Sequence, residues 1–262
     1  MAQAALEGVS GVLLDLDGVL VTSWHPLDGA HDAIASLRRH QLPFKIVTNT
    51  TSMTRRDLLL RLEEAGFDVG SEDLMTAATA TAAYIRAHHA GARCFLITKR
   101  DLSEDFDGIE IDRDGPDVVV IGGAEEGFNY ENLNRAFQML MNGASLLAMH
   151  RGFYWTTDQG LMLDAGAFVR GLEEAAGVEA TLVGKPARSF FDAAVDVLGV
   201  ARDEVAMIGD SIHSDVTGAQ EAGIRGVLVR TGSFRPEQLE DVRPGPDAVI
   251  DSVADLPQLL GL

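Results

Sequence analysis

Two rhythms of apolar and polar positions run through the chain. Short, nearly unbroken runs of Val, Leu, Ile and Phe, closed by Gly or polar residues, predict strands buried on both faces. The segments between them space their apolar residues as helices do. The first run, Gly11-Val12-Leu13-Leu14, continues as Asp15-Leu16-Asp17-Gly18-Val19-Leu20. A helix from Gly29 to His40 follows, with Ile34 and Leu37 on its apolar side, then a strand from Phe44 to Val47 that ends in Thr48-Asn49-Thr50-Thr51. Leu58, Leu59, Leu62 and Ala65 mark the buried side of a helix from Arg55 to Gly66.

From about Ala78 the alternation starts again. A helix to His89, strands Ala92 to Thr98 and Asp117 to Gly122, a helix from Tyr130 to Asn142 and a strand Ser145 to Met149 are followed by two short strands, Phe153 to Thr156 and Gly160 to Leu163, and a helix from Ala165 to Ala176. These elements make a second α/β unit inserted into the first. At Thr181-Leu182-Val183-Gly184-Lys185-Pro186 the first domain resumes. Ser189 and Asp192 form a capping box for a helix that turns Phe190, Phe191, Ala194, Val195 and Leu198 inward. A strand from Val205 to Ile208 runs into Gly209-Asp210-Ser211-Ile212-His213-Ser214-Asp215, and strands Gly226 to Arg230 and Ala248 to Ile250 with a terminal helix close the sheet.

Charge narrows the range of partners. The 262 residues hold 21 basic and 40 acidic side chains, a formal net charge of −19, which argues against nucleic acid and against an anionic membrane, since both need basic surface. An anionic small molecule stays open, provided that a metal or a placed Lys or Arg makes its site locally positive. Cys94 is the only cysteine, so there is no intrachain disulfide and no cysteine-rich metal site, which fits a reducing cytoplasm. Met1 to Val9 has neither a basic start nor a long apolar run, and no stretch approaches a membrane span. The expectation is a soluble, cytoplasmic protein.

The candidate chemistry lies at strand ends. Asp15 and Asp17 place two carboxylates two residues apart beside apolar neighbours, which is costly unless a cation or hydrogen-bond donors offset them. A divalent metal is the simplest answer, and a turn cap is the alternative. Thr48 to Thr51 could hold phosphate oxygens, or could serve as an ordinary loop and helix cap. Lys185, one of three lysines beside Lys45 and Lys99, sits in a Gly-Pro-bounded loop and could supply positive charge, or could be a surface lysine. Asp210 projects toward the edge where Asp15 ends, while Asp215 could also be a solvated residue at a helix N-terminus. His213 could face a pocket or be incidental. Gly122-Gly123 lacks the spacing of a dinucleotide-binding turn, and His88 and His89 lack a partner spacing for zinc.

Taken together, DLDGVL (15 to 20), TNT (48 to 50), GKP (184 to 186) and GDSIHSD (209 to 215) resemble the four motifs of the haloacid dehalogenase superfamily, over essentially the whole chain. The large insertion between the second and third motifs is similar to the branch with an α/β cap, the NagD-like phosphatases. The resemblance implies a Rossmann-like doubly wound parallel-sheet core in residues 1–77 and 181–262 with an inserted α/β cap domain in 78–180. The segments 120–133 and 160–169 also resemble that branch. Asp164-Ala165 replaces its Gly-Pro, however, and His150-Arg151 stands where many relatives carry Asn-Pro-Asp, so its sugar-phosphate and phosphoglycolate substrates are not carried over.

The resemblance further implies a Mg²⁺-dependent phosphatase acting on a small phosphorylated metabolite: a phosphomonoester, a phosphoramidate or a pyrophosphate. Asp15 is then the nucleophile that becomes an aspartyl phosphate, and Asp17 the acid/base, kept protonated by a neighbouring charge and partial burial. Lys185 neutralises charge, and Thr48 and Asn49 bind the phosphoryl oxygens. Mg²⁺ is held by Asp15, the main-chain carbonyl of Asp17, and Asp210, with Asp215 in support. His150, Arg151, Phe153, Asp164 and Gly166 are candidates for lining the cap, and homodimer formation through the cap is a further implication. A phosphotransferase or phosphomutase, and a non-catalytic binding protein on the same scaffold, are the alternatives.

Overall fold

The computed structural model describes residues 6–157 and 160–262, so residues 1–5 of the N-terminal stretch considered above lie outside the described residues. In chain order the strands are β1 (Gly11–Asp15), β2 (Val21–Thr22), β3 (His25–Pro26), β4 (Phe44–Thr48), β5 (Leu74–Thr76), β6 (Cys94–Ile97), β7 (Val118–Ile121), β8 (Ser145–Ala148), β9 (Tyr154–Thr157), β10 (Gly160–Leu163), β11 (Thr181–Leu182), β12 (Val205–Gly209), β13 (Arg225–Val229) and β14 (Ala248–Ile250). The chain forms two compact α/β units. Among the described residues no helix is long and apolar enough to cross a membrane.

The first unit contains the segment ending at Thr48, Asp57–Met75 and Lys185–Leu262. Its six-stranded sheet has the order β14-β13-β12-β1-β4-β5. β1 runs parallel to both neighbours, pairing Leu14 with Ile208 of β12 and Asp15 with Val47 of β4. Val12, Leu13 and Leu14 are fully buried, as expected of a central strand covered on both faces. Helices Ala30–Arg39 and Arg188–Leu198 bury Ile34 and Leu37, and Phe190, Phe191, Ala194 and Val195, on their apolar faces. From β1 the chain proceeds through β4 to β5 on one side, and later through β12, β13 and β14 on the other. The order therefore reverses at β1, and open parallel sheets bind ligands in the crevice outside the carboxyl ends of strands at such a reversal.

The second unit contains Asn49–Arg56 and Thr76–Gly184. Its four-stranded sheet, order β11-β8-β7-β6, is parallel throughout. Strand side chains alternate between faces: Val119 and Ile121 pack with Leu140, Val169 and Leu172 on one side, whereas Val118 and Val120 pack with Ala78, Ala82, Ile85 and Phe106 on the other. β9 and β10 form a separate antiparallel ribbon.

Two local expectations differ from what is observed. Thr181–Leu182, read as the return to the first domain, pairs in parallel with Leu147–Ala148 and is the edge of the second sheet. A two-residue strand carries no pattern that says which sheet it joins. The Ser189–Asp192 capping box is not formed: the helix begins after Ala187 without a side-chain cap, and Asp192 lies 2.6 Å from Arg202, an ion pair within reach of its carboxylate.

Candidate active site

Asp15 is the last residue of β1, Thr48 the last of β4, and Asp210 the first after β12, so three neighbouring parallel strands deliver them to one sheet edge. Lys185 opens the third segment of the first unit and reaches the same place. Its Nζ donates to Asp15 Oδ1 at 2.7 Å and to the Val47 carbonyl at 3.4 Å, and lies 2.8 Å from Asp215 Oδ1. Asp15 (8% exposed), Asp210 (6%), Asp215 (0%) and Lys185 (3%) are all buried.

Glycines make the close packing of these charges possible. Gly209 ends β12, and a side chain there would collide with that of Asp215. Gly18 (φ 81°) and Gly232 (φ 62°) adopt left-handed backbone, and a Cβ at either would fall on the Asp210 carboxylate. Asp210 Oδ2 accepts the Ser233 N–H at 2.6 Å, and Thr231 Oγ1 donates to the Gly18 carbonyl at 2.5 Å, fastening the two turns. Beyond Ser211 the chain takes a π-helical path, Ile212–Thr217, a widened turn of the kind found at functional sites. It carries Asp215 inward, where Oδ2 accepts the Ser211 N–H at 3.1 Å.

Burial pushes the Asp15 carboxyl well above its ordinary value. Lys185 opposes that shift, and Asp215 and Asp210 add to it. Burial likewise raises Asp210 to about 6, against the Ser233 amide and with the help of Asp215. For Lys185 burial acts downward, but Asp15 and Asp215 outweigh it and hold the ammonium form. One ammonium thus faces three carboxylates. Asp15, Asp210 and Asp215 can each offer an oxygen within 4.8 Å of the others, a buried all-oxygen set suited to a hard divalent cation, whose two charges match the deficit. Asp215, expected only in support, belongs to this set.

Asp17 lies two residues beyond the end of β1 and is exposed, so the partial burial expected to keep it protonated is not supplied. It forms an isolated bridge with Val21, the first residue of the β2–β3 hairpin. Thr48 is buried, and Asn49 begins the stretch that packs with the second unit. Ser233 and Thr231 were not anticipated from sequence. The available signal was a Thr-Gly-Ser turn just after β13, at the same carboxyl edge.

Within the second unit, His150 Nε2 lies 3.7 Å from Asp164 Oδ1, and burial lowers the imidazole pKa against the pull of that carboxylate. Asp164 also caps helix Ala165–Ala176 by accepting the Ala165 N–H at 2.7 Å. Arg151 is held by Glu173 at 2.5 Å and by the Ala180 carbonyl at 2.8 Å. Gly166 allows the helix to approach the Arg151 and Gly152 carbonyls, which a Cβ would strike. Phe153 is 56% exposed, His88 and His213 are exposed as well, and His89 is half-buried.

The chain is similar to known proteins. Residues 12–112 match the family described as haloacid dehalogenase-like hydrolase, and residues 182–256 match the one described as HAD-hydrolase-like. Phospholysine phosphohistidine inorganic pyrophosphate phosphatase from Rattus norvegicus is 39% identical over 97% of this chain and 95% of its own length. A 4-nitrophenylphosphatase from Thermotoga maritima superposes with a TM-score of 0.91 at 28% identity, covering 98% of this chain and 99% of that one. NagD from E. coli K-12 superposes with a TM-score of 0.85 at 27% identity, covering 94% and 98%. Two family matches that carry the strand-end carboxylates, and a relative alike over nearly its full length, establish that the chain belongs to the haloacid dehalogenase-like hydrolases.

Proposed function

We propose that this haloacid dehalogenase-type phosphatase hydrolyses a small phosphorylated metabolite through a phosphorylated Asp15, with Mg²⁺ as its cation. The observation that carries the reading is the charge imbalance: three buried carboxylates, one buried lysine, and no counter-charge for the rest among the described residues of that cluster. A fold alone gains nothing from such a surplus.

Both hydrogen bonds to Asp15, from the Leu16 N–H at 2.8 Å and from Lys185, fall on Oδ1, which orients Oδ2 as the attacking oxygen. In the first half-reaction Oδ2 bonds to phosphorus, the bond from phosphorus to the leaving group breaks, and Asp17 gives the leaving atom its proton. In the second, Asp17 takes a proton from water, the water oxygen bonds to phosphorus, and the bond to Asp15 breaks. An exposed Asp17 can exchange its proton with solvent between the two halves. Thr48 and Asn49 hold phosphoryl oxygens, and Lys185 offsets their charge together with that of Asp15. Asp15, Asp210 and the main-chain carbonyl of Asp17 would hold Mg²⁺, with Asp215 beside them. When bound, the ion supplies charge neutralisation between an anionic nucleophile and an anionic substrate.

The first unit is the catalytic core and the second a cap that selects the leaving group. In the cap His150 and Asp164 offer polar contacts, Phe153 an apolar one, and Arg151 and Gly166 shape the loop that carries them. The relative named for phospholysine, phosphohistidine and pyrophosphate keeps P–N and P–O–P substrates beside phosphomonoesters. Phosphate release from p-nitrophenyl phosphate, imidodiphosphate, pyrophosphate and a panel of metabolite phosphates, with Mg²⁺ and with chelator, tests the reading. Metal-dependent release is expected. A folded protein that releases phosphate from none of them overturns it.

A further inference from the structure

The stretch after β4 is tied down at two points inside the second unit. Thr51 is buried, and its Oγ1 accepts the Gly123 N–H at 2.8 Å. The Arg55 N–H donates to the Asp105 carboxylate, at 3.0 Å to Oδ2 and 3.2 Å to Oδ1. Gly122 and Gly123, which follow β7, admit Thr51 closely: a Cβ at Gly122 would lie 3.1 Å from Thr51 Cβ, and one at Gly123 would lie 3.2 Å from its Oγ1. Asn49, two residues upstream, sets its Oδ1 where a Cβ on Gly184 would come within 2.7 Å, and the Met149 carbonyl crowds the same glycine. Asn49 thus lies close beside Gly184, and the chain two residues further on is held at Thr51 by the Gly123 amide.

We propose that Thr51 is a positioning residue for Asn49, fixing the carboxamide that holds the phosphoryl group. The proposal rests on the reading of Asn49 given above. A threonine that merely satisfied the Gly123 amide would matter to stability alone, whereas one acting through Asn49 alters substrate binding. Phosphate is bound by Asn49 in the ground state as well as at the transition state, so the loss falls on KM rather than on kcat.

The test measures KM and kcat for p-nitrophenyl phosphate, and competitive inhibition by inorganic phosphate, in Thr51→Val, Thr51→Ser, Asn49→Ala and the double variant Thr51→Val/Asn49→Ala. Expected for Thr51→Val are a rise of about tenfold in KM and in the phosphate inhibition constant, and a kcat within about twofold. Thr51→Ser, which keeps the acceptor oxygen, restores both, and Thr51→Val adds nothing once Asn49 is alanine. Should Thr51→Val fail to fold, Thr51→Ala is read in the same way. An elevated KM in Asn49→Ala with an unchanged KM in the Thr51 variants overturns the proposal alone, as does an effect that adds in full to that of Asn49→Ala. An unchanged KM in Asn49→Ala itself overturns the assignment of Asn49 and the proposal with it.

Discussion

Each unit sets a cation against a buried carboxylate, and the two sites differ in their balance of charge. In the second unit Arg151 faces Glu173 one to one, and the backbone of Ala180 completes the pair, its carbonyl accepting from Arg151 and its N–H donating to Glu173 at 2.8 Å. The result is a clamp between the loop after β8, helix Ala165–Ala176 and the approach to β11. In the first unit Lys185 is shared by Asp15 and Asp215, and Asp210 stands close by as a third carboxylate. A balanced pair closes a packing problem. An unbalanced one leaves a protein less stable than it could be and is retained for chemistry.

The contrast is broken most severely at Asp15. Asp15→Asn preserves the shape and the Lys185 contact but removes the nucleophile proposed above, so metal-dependent phosphate release should fall by at least about 10³-fold while the protein stays folded. Residual release near the parent rate would place the chemistry elsewhere.

Lys185→Met takes away the buried cation that Asp15 and Asp215 share. Steady-state assays should show near-complete loss of turnover, and denaturant titration of the metal-free protein at pH 7 a loss of about 3–5 kcal/mol, the range for breaking a buried ion pair. That deficit shrinks as the pH is lowered, because Asp15 and Asp210, whose carboxyls burial raises, can then protonate in place of the lost ammonium.

Asp210→Asn works in the opposite direction. The raised pKa of Asp210, about 6 against an ordinary 3.8, means that the native protein keeps a proton which the unfolded chain has released. The stability lent by that proton is complete below the ordinary carboxylate range and lost as the pH rises through about 6. In chelator at pH 7 the Asn variant should therefore be more stable than the parent, by about 1–3 kcal/mol, with the difference vanishing toward pH 4. Mg²⁺ should raise the thermal midpoint of the parent at pH 7, do so much less at pH 5, and have little effect on the variant. Equal stabilisation of both proteins by Mg²⁺ would remove Asp210 from the cation site.

The smallest effect is expected in the second unit. Glu173→Gln keeps the shape of the clamp and leaves the partly exposed Arg151 unpaired, costing about 1–2 kcal/mol after solvent screening. Turnover should not change. A loss of turnover on the scale of Lys185→Met would show that charge balance does not separate the two sites.

What could be read from sequence follows the same division. Asp15, Thr48 and Asp210 stand directly at the ends of apolar runs, and parallel strands in an open sheet bring their carboxyl ends to one edge, so a local pattern was enough. Asp215 was ambiguous because an acidic residue three positions into a helical turn satisfies a dipole as readily as a lysine. Its burial depends on the π-helical detour and on Gly209, which only the assembled structure reveals. Ser233 and Thr231 looked like any turn. Arg151 looked like a ligand-facing residue because its partner, Glu173, lies a helix away, and the exposure of Asp17, two residues beyond a fully buried strand, has no local signal.

The central claim, that the surplus of buried carboxylates exists to make Asp15 a phosphoryl acceptor, is tested most directly by a single-turnover reaction. Enzyme in excess is mixed with Mg²⁺ and a ³²P-labelled substrate found in the panel, quenched in acid within milliseconds, and the labelled peptide identified by mass spectrometry. An acid-stable, hydroxylamine-sensitive phosphoryl group on the peptide carrying Asp15, absent in Asp15→Asn, is the predicted result. Turnover at the same rate with no label on that peptide, or with label on a different residue, would contradict it.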